Sequence, residues 1–490
     1  MAIRHTDVLI IGGELSGAVA AAVCARAGRR VVVLEEGEGA DDVAVGGVLV
    51  PPVDDLWPNL DGLARAKGVL EALAMHGELR RIMPLSDVSV QVLHPEHRLD
   101  LFAEPARRKA DLLREAGEAG AQAASRLDED VQEERLASAV VDTVDPLTDV
   151  GFFATRRVKG AYRDAYTPVK TSRALEHGAD VDWLRAGLGG ALAFLSNGAS
   201  PPPAVQSRLV RALLMGVHVS PVGGRAALRQ LLLDAAKQRG AEIIRDERVA
   251  ALVVDSGRIS EVRMGGRGEA RSAKVIVDAT WSRDLGERVS PEKHAKRLEQ
   301  AMGSVQPERV RAAVAWVVKK EGVPPGLGER AILHADGEGP GSEPALLLCE
   351  RQPVHPETRK VVPGLSVISA SVPVAPGDVD AACARLSARL DALLPFTRKH
   401  LVEARNLGAA RLEASRTAIY RGPEEPMELG GRGLEGGLKG LLRAGRDVAP
   451  ALGVEGELWA GHAAAIWAEK MLSRKPLFGG QADESPSGPR

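Results

Sequence analysis

Aromatic residues are scarce: 3% of the 490-residue chain, with only three tyrosines, which leaves little from which to build an aromatic ligand cage. Cysteine is scarcer still. Cys24, Cys349 and Cys383 are too few and too scattered for a disulfide framework or a zinc cluster, so reduced thiols in a cytoplasmic protein are expected. Neither sign of charge is in excess. The formal net charge is −2, so no global field favours nucleic acid or an anionic membrane. No run approaches ~18 uncharged apolar residues, and no spanning helix is expected. Residues 1–7 carry Arg4 and Asp7 and lead straight into an apolar strand, so no signal peptide is read. The eleven histidines form no H-x-x-x-H pair, and no metal site is expected. There is no G-x-S-x-G elbow for a nucleophilic serine.

What remains is ordinary globular material, 44% hydrophobic and 27% charged. The length predicts two or three folding units rather than one core.

The stretch "DVLIIGGELSG" (7–17) reads as a buried strand, a glycine turn and the start of a helix. It is one letter away from the dinucleotide pattern G-x-G-x-x-G. Gly12 and Gly17 hold the outer places, Gly13 and Ser16 lie between them, and Glu14 replaces the middle glycine. The helix "SGAVAAAVCARAG" stops at Gly28. The next strand ends in Glu35, eighteen residues after Gly17, where an acid hydrogen-bonds an adenosine ribose. The bland alternative for Glu35 is an acid meeting solvent at a strand end. Ser16 starts a helix and is not a nucleophile. Glu36, Glu38, Asp41 and Asp42 read as a solvated loop, and "GRGLEG" (431–436) as a loop without a ligand.

Glu14 sets an electrostatic problem. Two like charges ~4 Å apart cost about 1 kcal/mol in water and about 4 kcal/mol at an effective dielectric near 20. A helix N-terminus returns about 0.3–1 kcal/mol per anion. A carboxylate facing a diphosphate therefore loses. Either its side chain points away, or it folds onto the helix N-terminus and takes the phosphate's place.

Other segments are organised by local pattern. Residues 60–83 are helical, 87–102 a hairpin turning at "HPEH", and 104–140 solvated helices. "NGASPPP" (197–203) is a loop before a helix. Residues 221–280 give a turn, an amphipathic helix, a hairpin turning at Ser256-Gly257 and a further strand. Strands are read at 312–318, 345–349 and 365–373, and a helix at 377–394. The block 440–473 gives strand, loop and last helix. The tail 479–490 lacks apolar residues and reads as disordered. His218 and Arg225 flank a "PVGG" turn and are expected at the surface. Trp459 and Trp467, eight apart, share a helix face and read as core. "WLRAGLGGALAFL" (183–195) lines an apolar tunnel, touches a membrane surface, or is a core helix.

Three blocks together resemble the FAD-binding domain of the phytoene desaturase and flavin amine oxidase group: 7–47, 221–280 and 440–473. "GGRAAL" (223–228) before a helix, and "AEIIRDERVAALVVDSGRISEV" after it, are similar to the group's middle segment. "AGRDVAPALGVEGELWAGHAAA" (444–465) is similar to its closing segment. "KGVLEALAMHGELRRI" (67–82) and "VPPGLGERAILHAD" (323–336) look desaturase-like.

The resemblance implies an α/β fold: a Rossmann-like, three-layer FAD-binding domain with an inserted α+β substrate domain. The first is expected from 1–75, 215–290 and 417–475, and the second from 76–214 and 291–416. FAD is the implied cofactor, with its adenine against the backbone near Val249 and its flavin end near Gly445, Arg446, Asp447 and Val454. Three departures stand out. Glu14 replaces a glycine. Arg446 stands where many relatives place an acid, with Asp447 one step later. The diglycine Gly46-Gly47 lacks its following arginine.

The function implied is an FAD-dependent oxidoreductase removing hydrogen from a small apolar, isoprenoid-like substrate. Oxygen, a quinone or a carrier would reoxidise it, since only one nucleotide fold is present. No catalytic set is identified. The alternative is a member of the fold that has lost FAD and binds a protein or lipidated partner, as the flavin-free Rab GDP-dissociation inhibitors of similar fold illustrate.

Overall fold

The computed structural model describes residues 4–36, 43–50, 56–149, 152–175, 181–220, 224–266, 268–280, 284–302, 305–408, 418–422, 429–431 and 433–473. The expected disordered tail, and the acids Glu38, Asp41 and Asp42, lie outside these residues.

Two eight-stranded sheets organise the chain. The first is built around β1 (Arg4–Ile11), whose segment Val8–Ile11 is apolar at every position and fully buried. A strand buried on both faces is the mark of a parallel α/β sheet. β1 pairs in parallel with β2 (Val31–Glu35) on one side and with Ala270–Asp278 on the other. Glu242–Arg245 extends the parallel set beyond β2, and Leu441–Arg443 extends it beyond Ala270–Asp278. An antiparallel hairpin, Val249–Asp255 and Arg258–Met264, joins the start of Ala270–Asp278.

Alternation along β1 divides its side chains between two cores. Val8 and Ile10 meet the helices, while Leu9 and Ile11 meet a cluster from the hairpin, including Leu252, Val254 and Ile259. The result is three layers: helices, parallel sheet, hairpin.

Small residues set the helical layer. Helix α1 (Leu15–Arg26) is almost wholly buried and lies against the closing helix Gly453–Ser473. A Cβ at Gly461 would fall 2.1 Å from the Ser16 carbonyl, so only glycine permits this approach.

The second sheet runs in the order 401–406, 306–319, 365–374, 345–350, 330–333, 88–93, 98–102, with Ala418–Arg421 on the start of 306–319. Its outer neighbours include the helix Val379–Leu393. Helices within 105–214 cover the other flank. The 183–195 stretch is a core helix, with Leu184, Leu188, Ala191 and Phe194 buried. No described helix is long and apolar enough to cross a membrane. The fold is therefore α/β with a Rossmann-like sheet, and a second mixed sheet is inserted between β2 and the closing strand.

Candidate functional site

The turn after β1 is one that only glycine permits at its outer positions. Gly12 has φ +91°, a conformation that favours glycine. A Cβ there would lie 2.6 Å from the Thr280 methyl. A Cβ at Gly17 would lie 2.3 Å from the Gly12 carbonyl and 2.8 Å from the Ala279 methyl. The turn is therefore folded tightly on itself and on residues 279–280. Ser16 is buried in the first turn of α1 and plays no part at the surface.

Glu14 does not cap α1. It is the residue before the helix, with φ −60° and ψ 172°, and its side chain makes no cap hydrogen bond. The reading in which its carboxylate replaces the phosphate is thus overturned. Short acceptors suit that position.

At the end of β2 two acids behave differently from expectation. Glu35 folds over the turn, its Cγ 2.7 Å from where a Gly13 Cβ would be. It pairs with Arg245 at 3.1 Å and Arg229 at 3.7 Å. Glu36 is not a solvated loop residue. Its Oε1 accepts from the Val249 N–H at 2.6 Å and pairs with Arg288, also at 2.6 Å. Both its carboxylate and the Arg288 guanidinium are mostly buried, 12% and 11% exposed, and burial of an acid demands such partners. A backbone donor implied for adenine is therefore held by the chain's own carboxylate.

The closing segment carries buried charge. Arg443, at the end of its strand, is fully buried between Asp278 at 3.1 Å and Asp447 at 3.2 Å. Desolvation pushes the Asp278 carboxyl up to about 6, although Arg443 and the Thr280 hydroxyl oppose it. Asp447 is turned inward, with Oδ1 2.4 Å from where a Gly445 Cβ would be. Arg446 pairs with Glu457 at 3.0 Å, hydrogen-bonds Asn197, and shares Glu457 with Arg225. Glu455 lies in the first turn of the closing helix beside Val454. It is fully buried, takes Arg208 at 2.7 Å and accepts from the Arg65 N–H at 3.2 Å. Burial raises its carboxyl against the pull of Arg208.

Several expectations need correction. His218 is not at the surface but fully buried. Its Nδ1 bonds the Met83 carbonyl at 2.7 Å, and its Nε2 accepts from the Leu60 N–H at 3.2 Å. Desolvation lowers its pKa. Arg225 is tied to the buried Glu457. His218 is covered by residues 60 and 83 and Arg225 by the closing helix, meetings that the local sequence does not report. Gly47, with φ +80°, turns a short hairpin (43–50) whose valines pack on Ala313, Ala315 and Val317 of the second sheet. Trp459 is buried, as expected for core, and its indole donates to Asp145 at 3.4 Å. Trp467 donates to the Leu147 carbonyl at 2.8 Å. Among the described residues no group of three metal-ligating side chains forms. The cysteines are buried, and burial pushes the Cys24 thiol up to about 12, which leaves no reactive thiolate there.

A cavity of about 840 Å³ opens beside this segment. The helix Phe152–Tyr166, the 198–204 loop, Tyr420–Gly422 and Ala451 line it. Its wall is knitted to the closing segment. The Asn197 N–H donates to the Pro450 carbonyl at 2.8 Å, and the Tyr420 N–H to the Asn197 carbonyl at 2.7 Å. The Asn197 side chain reaches Arg446 and Glu457. One residue thus touches both the cavity backbone and the proposed flavin end. Sequence reasoning missed this helix and Asn197. Its signal was the pair Tyr162 and Tyr166, four apart on one face with Val158.

No family model and no curated protein matches the chain. Solved structures are similar to it over nearly its whole length. A wild-type putrescine oxidase bound to putrescine is 15% identical, covering 96% of this chain and 100% of its own, with TM-score 0.57. The PF1083 protein from Pyrococcus furiosus is 14% identical, with 95% and 97% covered and TM-score 0.54. An oxidoreductase from Methanosarcina mazei is 14% identical, with 91% and 98% covered and TM-score 0.52. At such identities the likeness is one of architecture, an α/β fold with a Rossmann-like sheet that the chain shares with an oxidase and an oxidoreductase.

Proposed function

We propose that the chain is an FAD-dependent oxidoreductase. The observation that carries this reading is the turn Gly12–Gly17. It is glycine-dependent at both outer positions and closely packed, and the Glu14 side chain does not cap the helix behind it. A helix N-terminus in that state suits a diphosphate.

The fit to FAD differs along its length. The turn would hold the diphosphate and Glu35 the ribose. Gly445, Arg446, Asp447 and the N-terminus of the closing helix at Val454 would border the flavin end. The adenosine end fits only after Glu36 leaves Val249. When bound, FAD supplies a two-electron acceptor, and the protein contributes position and exclusion of water. Asn197 holds the cavity wall against Arg446. That contact supports the cavity as the substrate chamber, with residues 76–214 and 291–416 as the substrate region and 1–75, 215–290 and 417–475 as the nucleotide region. The proline and tyrosine walls accept an apolar body, which agrees with hydrogen removal of the desaturase kind.

The Glu36–Val249–Arg288 contact favours a second reading, a flavin-free binding protein of the same fold. Absorbance of the purified protein separates the two. Flavin bands, present on isolation or after reconstitution with FAD, support the oxidoreductase. A colourless protein that rejects FAD, also as Glu36→Ala, overturns it and leaves the binding protein.

A further inference from the structure

All three tyrosines of the chain, Tyr162, Tyr166 and Tyr420, line the one cavity beside Asn197. The same described lining has three cations, Lys159, Arg163 and Arg421, and no carboxylate. Pro201, Pro202 and Pro203 complete an apolar wall. We propose that this cavity binds a small carboxylate anion with an aromatic or similarly flat apolar body.

The details agree on the sign of the ligand. The helix Phe152–Tyr166 carries Arg156, Arg157, Lys159 and Arg163 against the single acid Asp164. Of these, Lys159 and Arg163 line the cavity, and cations so placed draw anions in. Arg163 and Arg421 are engaged only in exposed pairs among those described, with Asp164 at 3.4 Å and Glu308 at 2.6 Å. Pairs of that kind are weak, so a ligand carboxylate competes for the guanidinium and gains bidentate geometry.

The rings agree on the body. The Tyr162 hydroxyl donates away from the cavity, to the Val144 carbonyl at 3.2 Å. The Tyr166 hydroxyl is buried from solvent. Neither of these hydroxyls is turned to the ligand, so the tyrosines add apolar lining to the Pro201–Pro203 wall. Burial keeps both phenols protonated, so no phenolate repels an anion. Flat apolar groups pack well on such rings. A cationic amine would meet the like charges of Arg163 and Arg421 here.

As a binding site this cavity stands whether or not a flavin is present; as a substrate site it rests on the oxidoreductase reading. The test is calorimetric titration of the full chain with three phenyl probes of the same carbon count: 3-phenylpropionate, its neutral amide, and 3-phenylpropylamine. The carboxylate is expected to bind about tenfold more tightly than either other probe, a difference that one charge-assisted contact supplies. The double variant Lys159→Gln/Arg163→Gln, altered only at exposed positions, and separately Arg421→Gln should remove that preference while keeping the wild-type melting profile. Tighter binding of the amine, carboxylate binding that both variants leave unchanged, or no carboxylate binding would each overturn the proposal. A colourless protein that still selects the carboxylate would sink the flavin reading alone.

Discussion

Replacing Arg443 by methionine removes the cation from the charge cluster beneath the closing segment and keeps much of its volume. Arg443, Asp278 and Asp447 are all fully buried, with pairs of 3.1 and 3.2 Å. Without the guanidinium, two carboxylates face each other in a dry site. Breaking a buried pair in this way costs about 3–5 kcal/mol. Part of that cost is avoided if Asp278 takes a proton. Its carboxyl already titrates at about 6, raised from 3.8 by desolvation. A carboxyl raised by folding lends stability that is fully present below its unfolded pKa and lost as pH rises through its folded pKa. In the wild type that window runs from 3.8 to about 6, about two units or about 3 kcal/mol. Loss of Arg443 raises the folded pKa further and carries the window into the neutral range. Urea denaturation should therefore show a modest deficit for Arg443→Met at about pH 5 and a deficit of about 3–5 kcal/mol at about pH 8. Equal stability of variant and wild type at the higher pH would refute the reasoning, as would a deficit independent of pH.

Gly17→Ala places a methyl 2.3 Å from the Gly12 carbonyl. It should destabilise the protein by about 1–3 kcal/mol and abolish flavin uptake, checked by thermal denaturation and absorbance. Glu36→Ala frees the Val249 N–H, and the affinity for FAD should rise about tenfold, or about 1.4 kcal/mol; unchanged fluorescence titrations would show that Glu36 is no obstacle. His218 is neutral in the fold because burial lowers its pKa below 6.5. Its contribution is present above that value and lost as pH falls through the lowered one. His218→Gln should flatten the acid limb of the stability curve, and an unaltered limb would count against the assignment.

The first sheet was legible because its signals are local. The apolar run 8–11, the spacing Gly12–Gly17–Glu35 and the turn Ser256-Gly257 each lie within one element or one connection. The hairpins 88–102 and 249–264 followed from alternation for the same reason. The site was harder. Glu36 meets Val249 across 213 residues, and Asn197 meets Arg446 across 249. No periodicity encodes such meetings. Arg443 and Asp278 each look like a strand-end charge, and only pairing of their strands turns them into a buried ion pair. The helix Phe152–Tyr166 went unread because its exposed cations hide a narrow buried face at Val158, Tyr162 and Tyr166.

The pairing order of the first sheet constrains how the molecule can be made. β1 leaves the ribosome well before its neighbour Ala270–Asp278, and the strand Leu441–Arg443 that covers that neighbour emerges later still. Helix α1 waits for a partner that ends at Ser473. A nascent chain must therefore carry an unfinished, apolar unit while more than 400 further residues are made, a burden that non-local pairing imposes. Shortened forms stopping before residue 441 should consequently be captured by chaperones or degraded.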